Sequence, residues 1–202
     1  EGNSWGEAFL LYDAPAFGGK RLRLRIGGKS FVQVNPAQNE RLVRKVVEWA
    51  ALRGEGIVLD LFCGTGNLTL PLALGARRVW GIDRDRQAID SAAENARENG
   101  LSHCSFLAAP AGEGIGRIRQ EAGSVDLAVL DPPRAGAWEA LEPLAGLRPA
   151  RILYVSCEPP TLARDLARLG SLGYNLRRIQ PLDMFPQTYH VEVIAELTGE
   201  KS

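Results

Sequence analysis

The 202-residue chain carries 24 basic and 24 acidic residues, is 45% hydrophobic and has a formal net charge of zero. That composition supports one sizeable globular core and excludes an overall basic field that would gather nucleic acid. No apolar run is long enough to span a membrane and no secretory signal pattern opens the chain, so no membrane partner is expected.

Cysteines stand at 63, 104 and 157, which is neither a zinc pattern nor a disulfide framework, so no metal is expected. The odd count and the lack of a signal suit a reducing cytoplasm, the expected location. The chain opens on Glu1 and its one methionine is Met184, which suggests a fragment or a processed piece of a longer protein. Of the 24 basic residues 20 are Arg. Two readings stand for that skew, a planar fork suited to phosphates and bases, or codon usage.

Residues 1–35 look β-rich and are expected to be the remnant of a preceding domain, with residues 36–202 as the main domain. Arg21 to Ile26 alternates strictly, GGKS turns and FVQVN extends again, which reads as a hairpin with an apolar and a basic face. The stripe of Arg21, Arg23 and Arg25 could meet RNA phosphate or simply face water. A helix follows, with Asn35 as N-cap, Pro36 at the first position and Gln38 completing a capping-box pattern, and it stops near Gly54.

From there strands and helices alternate. IVLDLF, VWGID, CSFLAA, VDLAVLD and RILYVS read as strands, and NLTLPLALG, RQAIDSAAENAREN and TLARDLARLGSLG as helices. NLRRIQPLD and YHVEVIAEL complete the set as two last strands. This order predicts an α/β fold, an open, mostly parallel, doubly wound Rossmann-like sheet with an amino-terminal β-hairpin extension. The continuous apolar runs fit parallel strands buried on both faces. Successive strands end in Asp60, Asp83, Asp131 and Cys157. In a parallel sheet those ends share one edge, where such sheets bind ligands.

DLFCGTGN (60–67) is a strand, then glycines, then a helix. Gly64 and Gly66 allow a sharp turn and close approach to a ligand. Thr69 stands where a dinucleotide fingerprint needs a third glycine, so NAD fits poorly. Asp83 is placed to accept from ribose hydroxyls, and S-adenosylmethionine is the common non-phosphorylated nucleoside of that kind.

SCEPPTLARD (156–165) follows the strand RILYVS. Cys157 there is either a small apolar residue ending a core strand or a thiol presented to substrate. A helix beginning near Thr161 would favour its thiolate, and Pro159 and Pro160 would stiffen the turn. Glu192 shares a strand face with His190 and Ile194, and is either functional or an edge-strand Glu facing water. Cys63 and Cys104 read as packing residues, His190 as an orienting or a packed histidine, and Arg164 with Asp165 as a motif pair or an ordinary helix-surface ion pair.

Across FVQVN (31–35), DLFCGTGN, GID (81–83), DPPR (131–134), SCEPPTLARD and DMFPQTYHVE (183–192), the chain resembles the S-adenosylmethionine-dependent RNA uracil-5-methyltransferases. The resemblance implies a class I methyltransferase domain that makes 5-methyluridine in transfer or ribosomal RNA and leaves S-adenosylhomocysteine. It implies Gln33, Phe62, Gly64, Asn67, Asp83 and Asp131 at the cofactor, Asp131 lying between cofactor and base. Cys157 matches the nucleophile and Glu192 the base that removes the C5 proton. The expected partner is RNA, and the expected state a monomer. Departures are Glu158, where the family has Asn, Ala108–Pro110 without a polar residue, and the lack of an RNA-binding β-barrel and of iron–sulfur cysteines. A cytosine-5 enzyme, an exocyclic-amine methyltransferase and a cofactor-binding module without turnover remain as alternatives.

Overall fold

The computed structural model describes residues 9–17, 20–27, 35–184 and 191–199. Strand β1 (Phe9–Phe17) pairs antiparallel with β2 (Lys20–Gly27). A hairpin is present, in which β2 pairs with the strand before it, and the expected pairing with FVQVN falls on residues 31–34, outside the described residues. The alternation holds where it can be read, with Leu22 and Leu24 fully buried and Arg23 exposed.

The other edge of β2 is closed by two amides of helix α3 (Arg86–Glu98) and its C-cap. Asn95 accepts from the Arg25 N–H at 2.8 Å and donates to the Arg25 carbonyl at 3.0 Å. Asn99 does the same for Arg23, at 3.0 and 2.7 Å. Side chains at i and i+4 lie on one helix face, so the two amides match alternate residues of the strand and stand in for a missing neighbour.

Helix α1 (Pro36–Ala50) starts as expected, the Asn35 side chain accepting from the Gln38 N–H at 3.2 Å. Asn35 also donates to the Met184 carbonyl at 3.3 Å, tying the helix start to the segment before the last strand. Asn35→Ala is expected to lower stability by about 1 kcal/mol, the usual cost of a lost cap, measured by chemical denaturation.

The main sheet has seven strands: β3 (Ile57–Leu61), β4 (Arg78–Asp83), β5 (Cys104–Ala108), β6 (Leu127–Leu130), β7 (Arg151–Ser156), β8 (Tyr174–Leu182) and β9 (Glu192–Gly199). Their order is β5-β4-β3-β6-β7-β9-β8, the first five parallel and β9 antiparallel to both neighbours. Helices α2 (Thr69–Ala73), α4 (Ala111–Ala122), α5 (Trp138–Leu147) and α6 (Pro159–Ser171) complete the chain. One apolar cluster gathers α1, α2 and the hairpin leucines, and the other gathers α4, α5 and α6, so helices cover both sheet faces.

Helices α4 and α5 were not foreseen. AGEGIGRIRQEA is poor in helix propensity and WEALEPLAGL has Pro143 inside. Tertiary packing overrides both. A Cβ on Gly114 would stand 2.7 Å from Ile82, and one on Gly112 would touch Pro143, so the glycines let α4 lie close to β4 and α5.

Candidate functional site

Chain order runs outward from β3 to β4 and β5 on one side, and from β6 to β7 on the other. The β3/β6 boundary is therefore the switch point, where a crevice opens beyond the strand ends. Asp60 is the penultimate residue of β3, Asp83 ends β4, and Asp131 and Cys157 directly follow β6 and β7. The four residues expected on one edge are on one edge.

The turn after β3 is tight. Phe62 has φ 62, Gly64 φ 53 and Gly66 φ 95, all left-handed. A Cβ on Gly64 would meet nothing within 4 Å, so the loop backbone borders open space there. Asp83 fixes this loop, one oxygen accepting from the Gly64 N–H at 3.0 Å and the other from the Asp85 N–H at 2.9 Å. Carboxylate oxygens accept more than one bond, so Asp83 retains capacity for hydroxyls. Asn67 exchanges amide hydrogen bonds with Asn39, each at 2.9 Å. Asp60 is fully buried and accepts from Thr69 Oγ1 at 2.5 Å, and its Oδ1 has no partner. An open glycine cradle, a ribose-type acceptor and an unpaired buried acceptor are a donor and acceptor set that fits an amino-acid nucleoside.

Cys157 is half-buried, one residue beyond the Ser156–Val193 pair of the β7/β9 ladder, which brings Glu192 alongside. The alternative reading of Glu192 as an edge-strand residue facing water is overturned. β9 lies between β7 and β8, and Glu192 is 4% exposed. Glu196, on the same strand and also buried, is satisfied by Arg151 and Arg178. Glu192 has no such cation among the described residues. Burial, and then the Asp131 charge, push its pKa up to about 8. Burial likewise raises half-buried Asp131 to about 7.

The expectation of a thiol favoured as thiolate by its helix is also corrected. Burial, Glu192 and Asp131 push the Cys157 thiol above its ordinary value, against a pull from Arg134 and a backbone hydrogen bond. Glu158 is not among the groups acting on the sulfur. As N-cap of α6 it donates its N–H to Ser156 Oγ at 3.1 Å.

Burial also carries Asp60 to about 8. Asp60, Asp131 and Glu192 thus hold their protons more tightly folded than unfolded. Their favourable contribution is complete below the ordinary carboxyl range, near pH 4, and is lost as pH rises through about 7 to 8. The melting temperature is expected to fall between pH 5 and pH 8.5. Asp60→Asn, which keeps an acceptor for Thr69 and cannot ionise, flattens that fall.

Gln33 and His190 lie outside the described residues. Cys63 is buried beside the glycine loop and Cys104 is half-buried at the start of β5. Two residues that act on the site were not singled out for it from sequence, Asn39, which holds Asn67, and Arg134, which acts on the thiol; nor was the fully buried Tyr154, which bonds Asp165. The last had a signal, because Asp165 lies on the Leu162 and Leu169 face of an amphipathic helix. Among the described residues no group of side chains could hold a metal ion and no helix is long and apolar enough to cross a membrane.

A family model described as tRNA (uracil-5-)-methyltransferase matches residues 11–198. A 23S rRNA (uracil(1939)-C(5))-methyltransferase of Marinomonas is 41% identical over 89% of the chain and 41% of its own length. An RNA methyltransferase of Thermosynechococcus vestitus is 47% identical over 88% of the chain and 39% of its own. The crystal structure of Pyrococcus abyssi tRNA (uracil-54, C5)-methyltransferase with S-adenosyl-L-homocysteine superposes with a TM-score of 0.77 at 35% identity, covering 96% of this chain and 45% of that one. The chain thus spans about two fifths of the length of the curated relatives it matches.

Proposed function

We propose that this chain, which belongs to the tRNA (uracil-5-)-methyltransferase family, methylates C5 of a uridine in ribosomal or transfer RNA. The observation that carries the reading is the convergence, where antiparallel β7 and β9 meet, of a half-buried thiol and a buried glutamate that has no cation beside it among the described residues, at the same sheet edge as an open glycine cradle.

Uracil C5 is too weak a nucleophile to take a methyl group unaided. Cys157 loses its proton, for which Asp131 is the acceptor that leaves Glu192 free, and its sulfur adds to C6. The ring becomes an enolate with its electron density at C5. S-adenosylmethionine, when bound, supplies an electrophilic methyl on a cationic sulfonium, which C5 takes up, leaving S-adenosylhomocysteine. The Glu192 carboxylate then removes the C5 proton. The C–H pair forms the C5–C6 double bond, the C6–S bond breaks, and the thiolate leaves. A base with a pKa of about 8 suits this work near neutral pH.

Asp83 would receive the ribose hydroxyls, and Phe62, Gly64, Asn67 and Gln33 would line the cofactor. Asp60 Oδ1 has the capacity for the ammonium of its amino-acid end. Both faces of the uracil must be reached, so the base is unpaired or flipped out of the helix. The proposed location is the cytoplasm and the proposed state a monomer.

The reading is tested by mass-spectrometric mapping of nucleosides from RNA incubated with the protein and labelled methyl donor. 5-Methyluridine is the expected product. 5-Methylcytidine or a base methylated on nitrogen would overturn the reading, and bound cofactor without labelled RNA would point to a binding module.

A further inference from the structure

Asp165 is fully buried and accepts four hydrogen bonds. Its Oδ2 takes the Tyr154 hydroxyl at 2.6 Å and the Ala137 N–H at 2.8 Å. Its Oδ1 takes Arg164 Nε and Nη2 at 2.9 and 2.7 Å. Arg164 Nη2 also donates to the Ala135 carbonyl at 2.9 Å. Between those two contacts lies Gly136, with φ 84, where a Cβ would stand 2.5 Å from Asp165 Oδ2 and 2.6 Å from Arg164 Nη2. Residues 135–137 are therefore seated on α6, in contact with its first two turns. The other end of the same loop is held to β3, the Asp131 N–H donating to the Leu61 carbonyl at 3.3 Å. Asp131 and Arg134 lie in this loop and act on the Cys157 sulfur, which immediately precedes α6.

The carboxylate is fully buried although Arg164 is 46% exposed, and the better-attested use of a buried charge of this kind is to fix register. We infer that Asp165, with Tyr154 and Arg164, is a positioning centre that sets the Asp131–Arg134 loop against the Cys157 thiol and thereby controls the reactivity of that thiol. Tyr154 ties the carboxylate to β7, the strand that carries the cysteine. Arg164 ties it to the loop, and α6 joins the two. The charged and titratable groups that face the sulfur are Glu192 from β9 and Asp131 and Arg134 from the loop. The centre holds two of the three.

The inference rests on Cys157 as nucleophile for its meaning in catalysis, but it can be measured without turnover. The probe is iodoacetamide, with alkylation of Cys157 followed by peptide mass spectrometry across pH 6 to 10. Asp165→Asn and Tyr154→Phe are expected to move the midpoint downward, because the loop carries both Asp131 and Arg134 and the push of Asp131 on the thiol is the larger of the two. Asp131→Asn produces a shift of the same sign and Arg134→Gln one of the opposite sign, and Tyr154→Phe shifts less in the Asp131→Asn background than alone. In turnover, Tyr154→Phe lowers kcat by about 10-fold, the order of one lost hydrogen bond to a charged group, with KM for the methyl donor changed by less than about twofold. Arg164→Lys restores part of what Arg164→Ala loses.

If Asp165→Asn fails to fold, Tyr154→Phe carries the same test, since it removes one hydroxyl and leaves the carboxylate paired with Arg164. A folded Tyr154→Phe protein with the wild-type alkylation midpoint overturns the inference, as do shifts that simply add to those of Asp131→Asn. Loss of methylation with a normal alkylation profile would count against it as well. Uridine methylation by a Cys157→Ser protein would instead sink the catalytic reading and leave the alkylation result standing.

Discussion

Cys157→Ala is expected to abolish methylation, lowering the rate by at least about four orders of magnitude, the scale on which an enzyme loses an essential nucleophile. Binding of S-adenosylmethionine should change by less than about twofold, because the thiol is a group for the base and not for the cofactor. The expectation follows from the chemistry. Without addition at C6 the uracil C5 atom has no route to an enolate, and neither Cys63 nor Cys104 can substitute. Cys63 is buried under the glycine loop and Cys104 begins β5, the outer strand on the far side of β4. Filter-bound label from a labelled methyl donor measures the rate, and calorimetry measures the cofactor. Retained methylation would remove the covalent route, and a large loss of cofactor binding would make Cys157 a packing residue.

Glu192→Gln is expected to slow turnover by about 10²–10⁴, the usual contribution of a positioned acid or base. It should do so at one step only. Addition and methyl uptake need no base at C5, so the variant should accumulate methylated RNA still joined to protein, visible as a slowly migrating band on a denaturing gel. The fold should tolerate the change. With a pKa of about 8 the buried Glu192 is mostly neutral at pH 7, a minority remaining as the carboxylate that acts as base, and Gln has the same shape and no charge to bury. At pH 8.5 the variant should be at least as stable as the wild type. A normal rate with no adduct would take Glu192 out of the base role.

Much of the architecture was legible because it rests on local signals. The apolar runs of β3, β6 and β7 are continuous, the Asn35 cap is a three-residue pattern, and the acidic strand ends declare the ligand edge once a parallel sheet is assumed. Misreadings arose where tertiary structure decides. The glycines of α4 look like helix breakers until Ile82 is seen against Gly114. Among the described residues the hairpin partner of β2 is the strand before it, which carries no strict alternation to announce it. Glu192 could be read as wet because strand order is not written in alternation, and only the insertion of β9 between β7 and β8 buries it. The thiol was expected to be helped by its helix, but burial, and after it two carboxyl groups brought from distant segments, push the other way. The resemblance named Cys157 and Glu192, whereas the function of the Arg164–Asp165 pair becomes visible only when the loop at 135–137 is seen resting on it.

The most direct test of the central claim is tandem mass spectrometry of the adduct formed by Glu192→Gln with RNA and S-adenosylmethionine, after digestion by protease and nuclease. The account predicts a single modified peptide that contains Cys157 and carries a C5-methylated uridine through its sulfur. A nucleotide on any other residue, or an adduct that lacks the methyl group, would contradict it.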